Sequence, residues 1–312
     1  MPVPRLCRFR GSFAVFSTAN GVQGETGYSD GIVQELWRKY GHFMPTAPQG
    51  VDKAEAYFYA ALKFIHLCPH PTKTGSLLYT PHTGFISSST FDRQIAPRLI
   101  ILGTVINEID WALRHDEFNH VPHFKYFCVG ALDTFPVRIS EPSNSRVARL
   151  YYQPKYGCCV VKCQLIVDFN GNIIFCSIPH LGTTGDARIW RHCRPVFSLN
   201  EYVLADGAYR SSAHTLVPYR EDRAGGIGVG EEKVNDIIQY YRARVEHIIG
   251  VIQNHEFFRT KARMSMDLIT ACTKISVHAT ALHLRKRHQF AYRYPHTVVG
   301  PHPHNAPDLL GW

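Results

Sequence analysis

The chain has 312 residues, a formal net charge of +9 and 45% apolar residues. That is enough for the core of one large domain, or of a small and a mid-sized one, and it excludes a disordered or low-complexity polypeptide. No apolar run reaches the roughly 20 residues of a membrane helix, so a soluble protein with no membrane partner is expected.

The charge is unevenly placed. Between Arg242 and Arg293 ten Lys or Arg face three acids, and this basic C-terminal third suits a polyanionic partner. The nine cysteines form no C-x-x-C pair, which fits reduced thiols inside a cell. Cys272, His278 and His283 lack the short paired spacing of a zinc site.

Residues 1–50 read as an irregular N-terminal arm, with Arg5, Arg8 and Arg10 and no acid before Glu25. Residues 51–122 read as a small helical region. In "VDKAEAYFYAALKFIHLC", Ala54, Tyr57, Phe58, Ala61, Leu62 and Ile65 recur at helical spacing. After a turn at Gly84, the serines from Ser87 are placed to cap a second helix through Phe91 and Ile95, a pattern interrupted by Pro81 and Pro97. Helix, glycine turn and capped helix suggest a helix-turn-helix; an ordinary helical subdomain accounts for the same pattern.

From residue 127 the period changes. "FCVGALDTFPVRI", "CCVVKCQLIVDF" and "NIIFCSI" are strand candidates, and Asn170-Gly171 marks a hairpin turn that makes Asp168 a turn residue. A short helix starts near Asp186 after "GTTG", an apolar strand ends in "YVLAD", and helices follow over about 231–256 and 265–288. The expectation is an α/β domain over 125–290, a mixed sheet with flanking helices, and then a flexible tail over 291–312.

Two of these strands, "VGALD" and "YVLAD", each put a carboxylate at or near an apolar strand end, Asp133 and Asp206. On neighbouring strands of the same direction the two would converge, and a divalent cation such as Mg²⁺ would relieve their repulsion. Gly207 is expected to let the chain turn away from that site. A third acid, Glu246, lies on the flank of an apolar helical stripe through Ile238, Tyr241, Val245 and Ile249. Spacing alone also allows a plain i, i+4 ion pair of Arg242 with Glu246.

Taken in order, "ALDTFPVRISEP", "GDARIW", "VLADGAYRSSAHTLVPY" and "NDIIQYYRARVEHIIGVIQNHEFFR" resemble the DDE endonuclease domain of PIF/Harbinger-type transposases and their domesticated relatives, over about residues 125–260. The resemblance implies an RNase H-like fold and a nuclease that cuts DNA phosphodiester bonds with divalent metal, Mg²⁺ or Mn²⁺. It implies Asp133, Asp206 and Glu246 as the catalytic, metal-holding triad. Asp186 matches a further acidic position, either a metal ligand or a helix cap. It also implies DNA as partner, a separate DNA-binding partner protein, a homo-oligomer and the nucleus. Arg242, Arg285, Lys286 and Arg287 are the candidate DNA contacts. Where the family shows Gly-Thr-His after the first Asp, this chain has Thr134, Phe135 and Pro136. That departure keeps a second function open, a protein that retains the fold and binds DNA without cutting it.

Overall fold

The computed structural model describes residues 12–17, 20–45, 51–67, 78, 86–115, 127–220 and 226–293, with the side chains of all of these but 51–52 and 287–293. The chain forms two compact units. The first takes Met1–Glu108, Pro136–Val161 and Val251–His283; the second takes Ile109–Phe135, Lys162–Gly250 and Leu284–Trp312. No helix among the described residues is long and apolar enough to cross a membrane.

The first unit is mainly helical: α1 (Gly21–Thr26), α2 (Asp30–Tyr40), α3 (Val51–Leu67), α4 (Ser88–Thr90), α5 (Ala96–Val105), α6 (Ser145–Tyr151), α9 (Glu256–Arg259) and the larger part of α10 (Met266–Arg293). The segment read as an irregular arm thus carries helices α1 and α2. Its glycines dominate the sequence signal, yet Ile32, Val33, Leu36, Trp37 and Tyr40 fall on one buried stripe. Phe13, Trp37, Phe58 and Tyr59 then pack ring against ring.

The expected Ser87 cap is present, with Ser87 Oγ accepting from Thr90 N, but the helix does not stop at Pro97. A π-helical turn over Phe91–Ile95 comes directly before α5, and Pro97 enters in the first turn of that helix. The expected turn at Gly84 lies outside the described residues. In the same unit Gly103 of α5 backs onto Ala271 of α10 so closely that a Cβ there would come within 2.7 Å of it.

The second unit holds most of the sheet. Its strands are β1 (Cys128–Arg138) and β3 (Cys158–Val167), whose far ends lie in the first unit, with β4 (Ile173–Cys176), β5 (His180–Leu181), β6 (Tyr202–Leu204) and β7 (Thr215–Leu216). With β2 (Tyr152–Gln153) the strand order is β2-β3-β1-β6-β7, and β4 and β5 both pair with β3. The sheet is mixed: β1, β6 and β7 are parallel, while β4 runs antiparallel to β3 through the Asn170-Gly171 turn. Asp168 is a turn residue, accepting from Asn170 N, Asn172 N and Asn172 Nδ2.

Helix α7 (Asp186–Cys193) buries Trp190 against Leu132, Ile166 and Val203, while α8 (Val229–Ile252) packs Tyr241 edge-on against Phe169. Gly130 is required where it stands, because a Cβ would meet Val167 O at 2.4 Å, inside any real contact. The absent side chain lets β1 approach β3 three residues before Asp133.

A buried relay in the first unit gives a test of its stability. The Tyr28 hydroxyl lies 3.1 Å from Ser276 O and 2.8 Å from His255 Nε2, and His255 Nδ1 lies 3.1 Å from His66 Nδ1. With the hydroxyl donating to the carbonyl, His255 donates from Nε2 and accepts at Nδ1 from His66. Both imidazoles are then neutral. Burial, with His66 next to it, pulls the His255 pKa down to about 3 from its ordinary 6.5. The depressed value means that this stability is complete above pH 6.5 and is lost as pH falls towards 3, because the unfolded chain then binds the proton first. Urea titrations from pH 7 to 4 should show a slope of about 1.4 kcal/mol per pH unit from this group, which His255→Gln removes.

Candidate active site

The site is built on sheet register. In the parallel pair β1–β6, Gly130 lies opposite Val203 and Ala131 opposite Leu204, so two residues further on Asp133 comes level with Asp206. The convergence expected from the two strand patterns is present, but Asp133 does not end its strand. β1 continues to Arg138, because Phe135 and Val137 are still buried beyond the point where β6 stops. Alternation along the strands puts Asp133 and Asp206 on one face, opposite to Leu132, Thr134, Val203 and Ala205.

Each carboxylate is held by backbone next to it in sequence. Asp133 Oδ1 accepts from Thr134 N at 2.7 Å; Asp206 Oδ1 accepts from Ala208 N at 2.9 Å and caps the 3₁₀ turn Gly207–Tyr209. That turn needs no glycine. Gly207 lies outside the left-handed region, and a Cβ on it would meet nothing within 4 Å, so the expected conformational reason fails and what the residue leaves beside Asp206 is open space.

Glu246 of α8 is brought to the same face through Arg242. One guanidinium nitrogen, Nη2, lies 3.9 Å from Asp133 Oδ2 and 3.7 Å from Glu246 Oε1, so the expected i, i+4 pair exists and extends to the first Asp. The Arg242 side chain is 14% exposed, the Asp133 side chain 23% and the Glu246 side chain 59%. Arg242 Nε is buried with no hydrogen-bond partner among the described residues. Burial raises the pKa of Asp133; the Thr134 N–H and Arg242 oppose the rise, and Asp206 and Glu246 add to it. This is the electrostatic signature of a carboxylate cluster with one internal counterion.

Asp186 is elsewhere. It is the first residue of α7, and Gly185 rather than Asp186 is the N-cap, with no side-chain cap bond. Its carboxylate accepts from Lys162 Nζ at 2.8 Å, and its carbonyl accepts from Gln164 Nε2. Lys162 and Gln164 share the β3 face of Ile166, the face that α7 covers, so Asp186 lies across the sheet from Asp133 and Asp206. Of the expected DNA contacts, Arg242 belongs to the acid cluster, Arg285 and Lys286 are half-buried on α10, and the Arg287 side chain lies outside the described residues.

Sequence reading missed the polar network behind the acids. The buried Tyr209 hydroxyl lies 2.6 Å from Thr134 Oγ1 and 2.9 Å from Gln164 Nε2, tying the turn after Asp206 to the residue after Asp133. Burial drives the Tyr209 pKa far up; the Thr134 bond opposes this, and Asp186, Asp133 and Asp206 all push it further. The available signal was Lys162 and Gln164, two polar residues in a strand that is otherwise wholly apolar and buried.

Among the described residues no three His, Cys, Asp or Glu side chains gather into a ready-made metal cluster. His278, one of the residues weighed for zinc, instead accepts from Glu108 N at Nδ1. The donor chemistry at Asp133 and Asp206 nevertheless suits a hard cation. Mg²⁺ is commonly held by one or two carboxylates and fills its other positions with water and phosphate.

The repulsion within the cluster is measurable. Asp206→Asn keeps the acceptor for Ala208 N but removes one charge beside Asp133, so in EDTA at pH 7 it should stabilise the protein by about 0.5–1 kcal/mol in urea unfolding. Arg242→Met should destabilise it and raise the Asp133 pKa further. An unstable Asp206→Asn variant would refute like-charge repulsion at this site.

Comparison with known proteins adds one positive finding. No curated protein matches the chain, and no solved structure matches it. Residues 132–283, which take in Asp133, Asp186, Asp206 and Glu246, match the family model described as DDE superfamily endonuclease.

Proposed function

We propose that this chain is a divalent-metal-dependent DNA endonuclease with an RNase H-like sheet and a DDE triad, of PIF/Harbinger transposase origin. The observation that carries this reading is the register of β1 and β6, which sets Asp133 level with Asp206 within the stretch that matches the endonuclease family. Asp133 and Asp206 would hold Mg²⁺ or Mn²⁺ across the two strands, with Glu246 as the third donor from α8. A bound cation would supply Lewis acidity at the phosphodiester and acidify a water for attack.

The residues of the chain do the rest. The Thr134 and Ala208 N–H groups fix one oxygen of each carboxylate; the second oxygen of Asp133 faces Arg242, which a cation would displace in order to be held there. The Tyr209–Thr134 bond holds the two acid-bearing segments at one separation. Arg242 offsets the acids before the cation binds and afterwards remains a positive charge for the phosphate. Asp186 stays outside the metal set, neutralised by Lys162. Nuclear location, a homo-oligomer and a separate partner protein that selects the DNA target belong to the same reading.

A second reading, a non-catalytic DNA-binding protein, is favoured by one observation: Arg242 already stands between Asp133 and Glu246 as a counterion. Calorimetric titration with Mn²⁺ and Mg²⁺ separates the two. Wild type should bind, Asp133→Ala and Asp206→Ala should not, and nicking of supercoiled plasmid should fall to background in both variants. A folded wild type that binds neither ion would establish the non-catalytic reading.

A further inference from the structure

One cation of the second unit is held by charge alone. Lys162 meets Asp186 at 2.8 Å and Arg114 meets Glu201 at 3.1 Å, both within hydrogen-bond range. Arg242 Nη2 comes only to 3.9 Å from Asp133 Oδ2 and 3.7 Å from Glu246 Oε1, beyond that range. Its Nε is buried with no hydrogen-bond partner, and neither of its other two nitrogens makes a hydrogen bond among the described residues.

That is a poor position for a guanidinium. The group carries five N–H donors in a rigid fork, and donors shielded from water without an acceptor are costly. With its side chain 14% exposed, Arg242 can recover little of that cost from solvent. The acids keep it there. Burial raises the pKa of Asp133, the Thr134 N–H and Arg242 work against the rise, and Asp206 and Glu246 add to it. Any positive charge at this point would serve the acids as well, because no directional bond selects a guanidinium.

The oxygens that Arg242 faces are also those a divalent ion would use. Asp133 Oδ1 accepts from Thr134 N, and Oδ2 is the oxygen turned to Arg242. A guanidinium and a divalent ion at the same carboxylate oxygen repel each other, so the two compete for it. On leaving, Arg242 gives up no hydrogen bond with the described residues, and the charge it withdraws is replaced by the incoming ion.

We infer that Arg242 is an autoinhibitory counterion: in the metal-free chain it stands in for the cation, and the acids take up a divalent ion only by expelling the guanidinium from between Asp133 and Glu246. The inference rests on the nuclease reading for the ion with which Arg242 competes. It adds to that reading a site that blocks itself, and so holds metal weakly for as long as Arg242 stays.

The test is calorimetric titration of the full chain with Mn²⁺ in the absence of DNA. Arg242→Met keeps the aliphatic stem without the charge and should bind Mn²⁺ about tenfold more tightly than wild type, a usual size for the coupling between two ligands. Arg242→Lys retains a positive charge and should stay near the wild-type affinity. Arg244→Met is the control: it removes a charge from the same helix, but that guanidinium lies 5.9 Å from the centre of the Tyr241 ring and has no ion pair among the described residues, so the affinity should hardly move. Urea unfolding shows which variants are folded, and Arg242→Gln replaces Arg242→Met, with the same expectation, if the latter is not.

Unchanged or weaker binding in the folded neutral variant, or an equal gain in Arg242→Lys or Arg244→Met, overturns the autoinhibition and leaves the nuclease reading intact. Binding by Arg242→Met beside none by wild type upholds the autoinhibition, while the wild-type chain is then no nuclease. No binding by wild type or by any folded variant overturns both.

Discussion

Two carboxylates set level on adjacent parallel strands are the constraint around which the second unit is arranged. Asp133 gains nothing from the neighbouring Asp206: burial raises the cost of ionising Asp133, and the second carboxylate raises that cost further. The surroundings answer it from both faces. On the acid face Arg242 supplies positive charge, and on the opposite face Thr134, Tyr209 and Gln164 lock the two segments so that they cannot spread apart. A fold selected for stability alone would place an apolar pair at this register, since buried charge is poor value as a stabilising device. Retaining the acids is what a functional site does to a sheet.

The same logic separates Asp186 from the other acids. It has one close basic partner, Lys162, on the face covered by α7, and that pair closes on itself. Asp133 has two acidic neighbours for one shared arginine. Counting acids in a motif cannot distinguish these cases; the parity of strand positions and the identity of the nearest cation can.

Much of this was legible in the chain. The apolar runs of β1 and β3, the Asn170-Gly171 turn and the stripe of α8 gave their elements directly, because each is a local pattern with one dominant interpretation. The match of "VGALD" to "YVLAD" suggested paired acids, and parallel pairing of β1 with β6 aligns them. What stayed hidden depends on distant partners. Helix α2 was masked by the glycines around it, although its apolar residues were correctly spaced to pack on Phe13 and Phe58. Arg242 read as a surface residue because its contact with Asp133 joins positions more than a hundred residues apart. Pro97 read as an interruption because a π-helical turn is not signalled by propensity.

The brevity of β6 carries an evolutionary consequence. This three-residue strand is held by Tyr202 N to Phe127 O, Val203 N to His214 O and Ala205 N to Leu216 O, bonds from both neighbours that fix its phase. Side chains alternate between faces, so a single codon gained or lost between Leu204 and Asp206 would turn the carboxylate through the sheet, towards Trp190 and away from Asp133. A codon gained in the preceding segment, where Val196 and Leu199 are exposed, would be absorbed without moving the strand. Among descendants of this sequence, length variation should accumulate before Tyr202 and be purged just after it, wherever selection still maintains the acid pair.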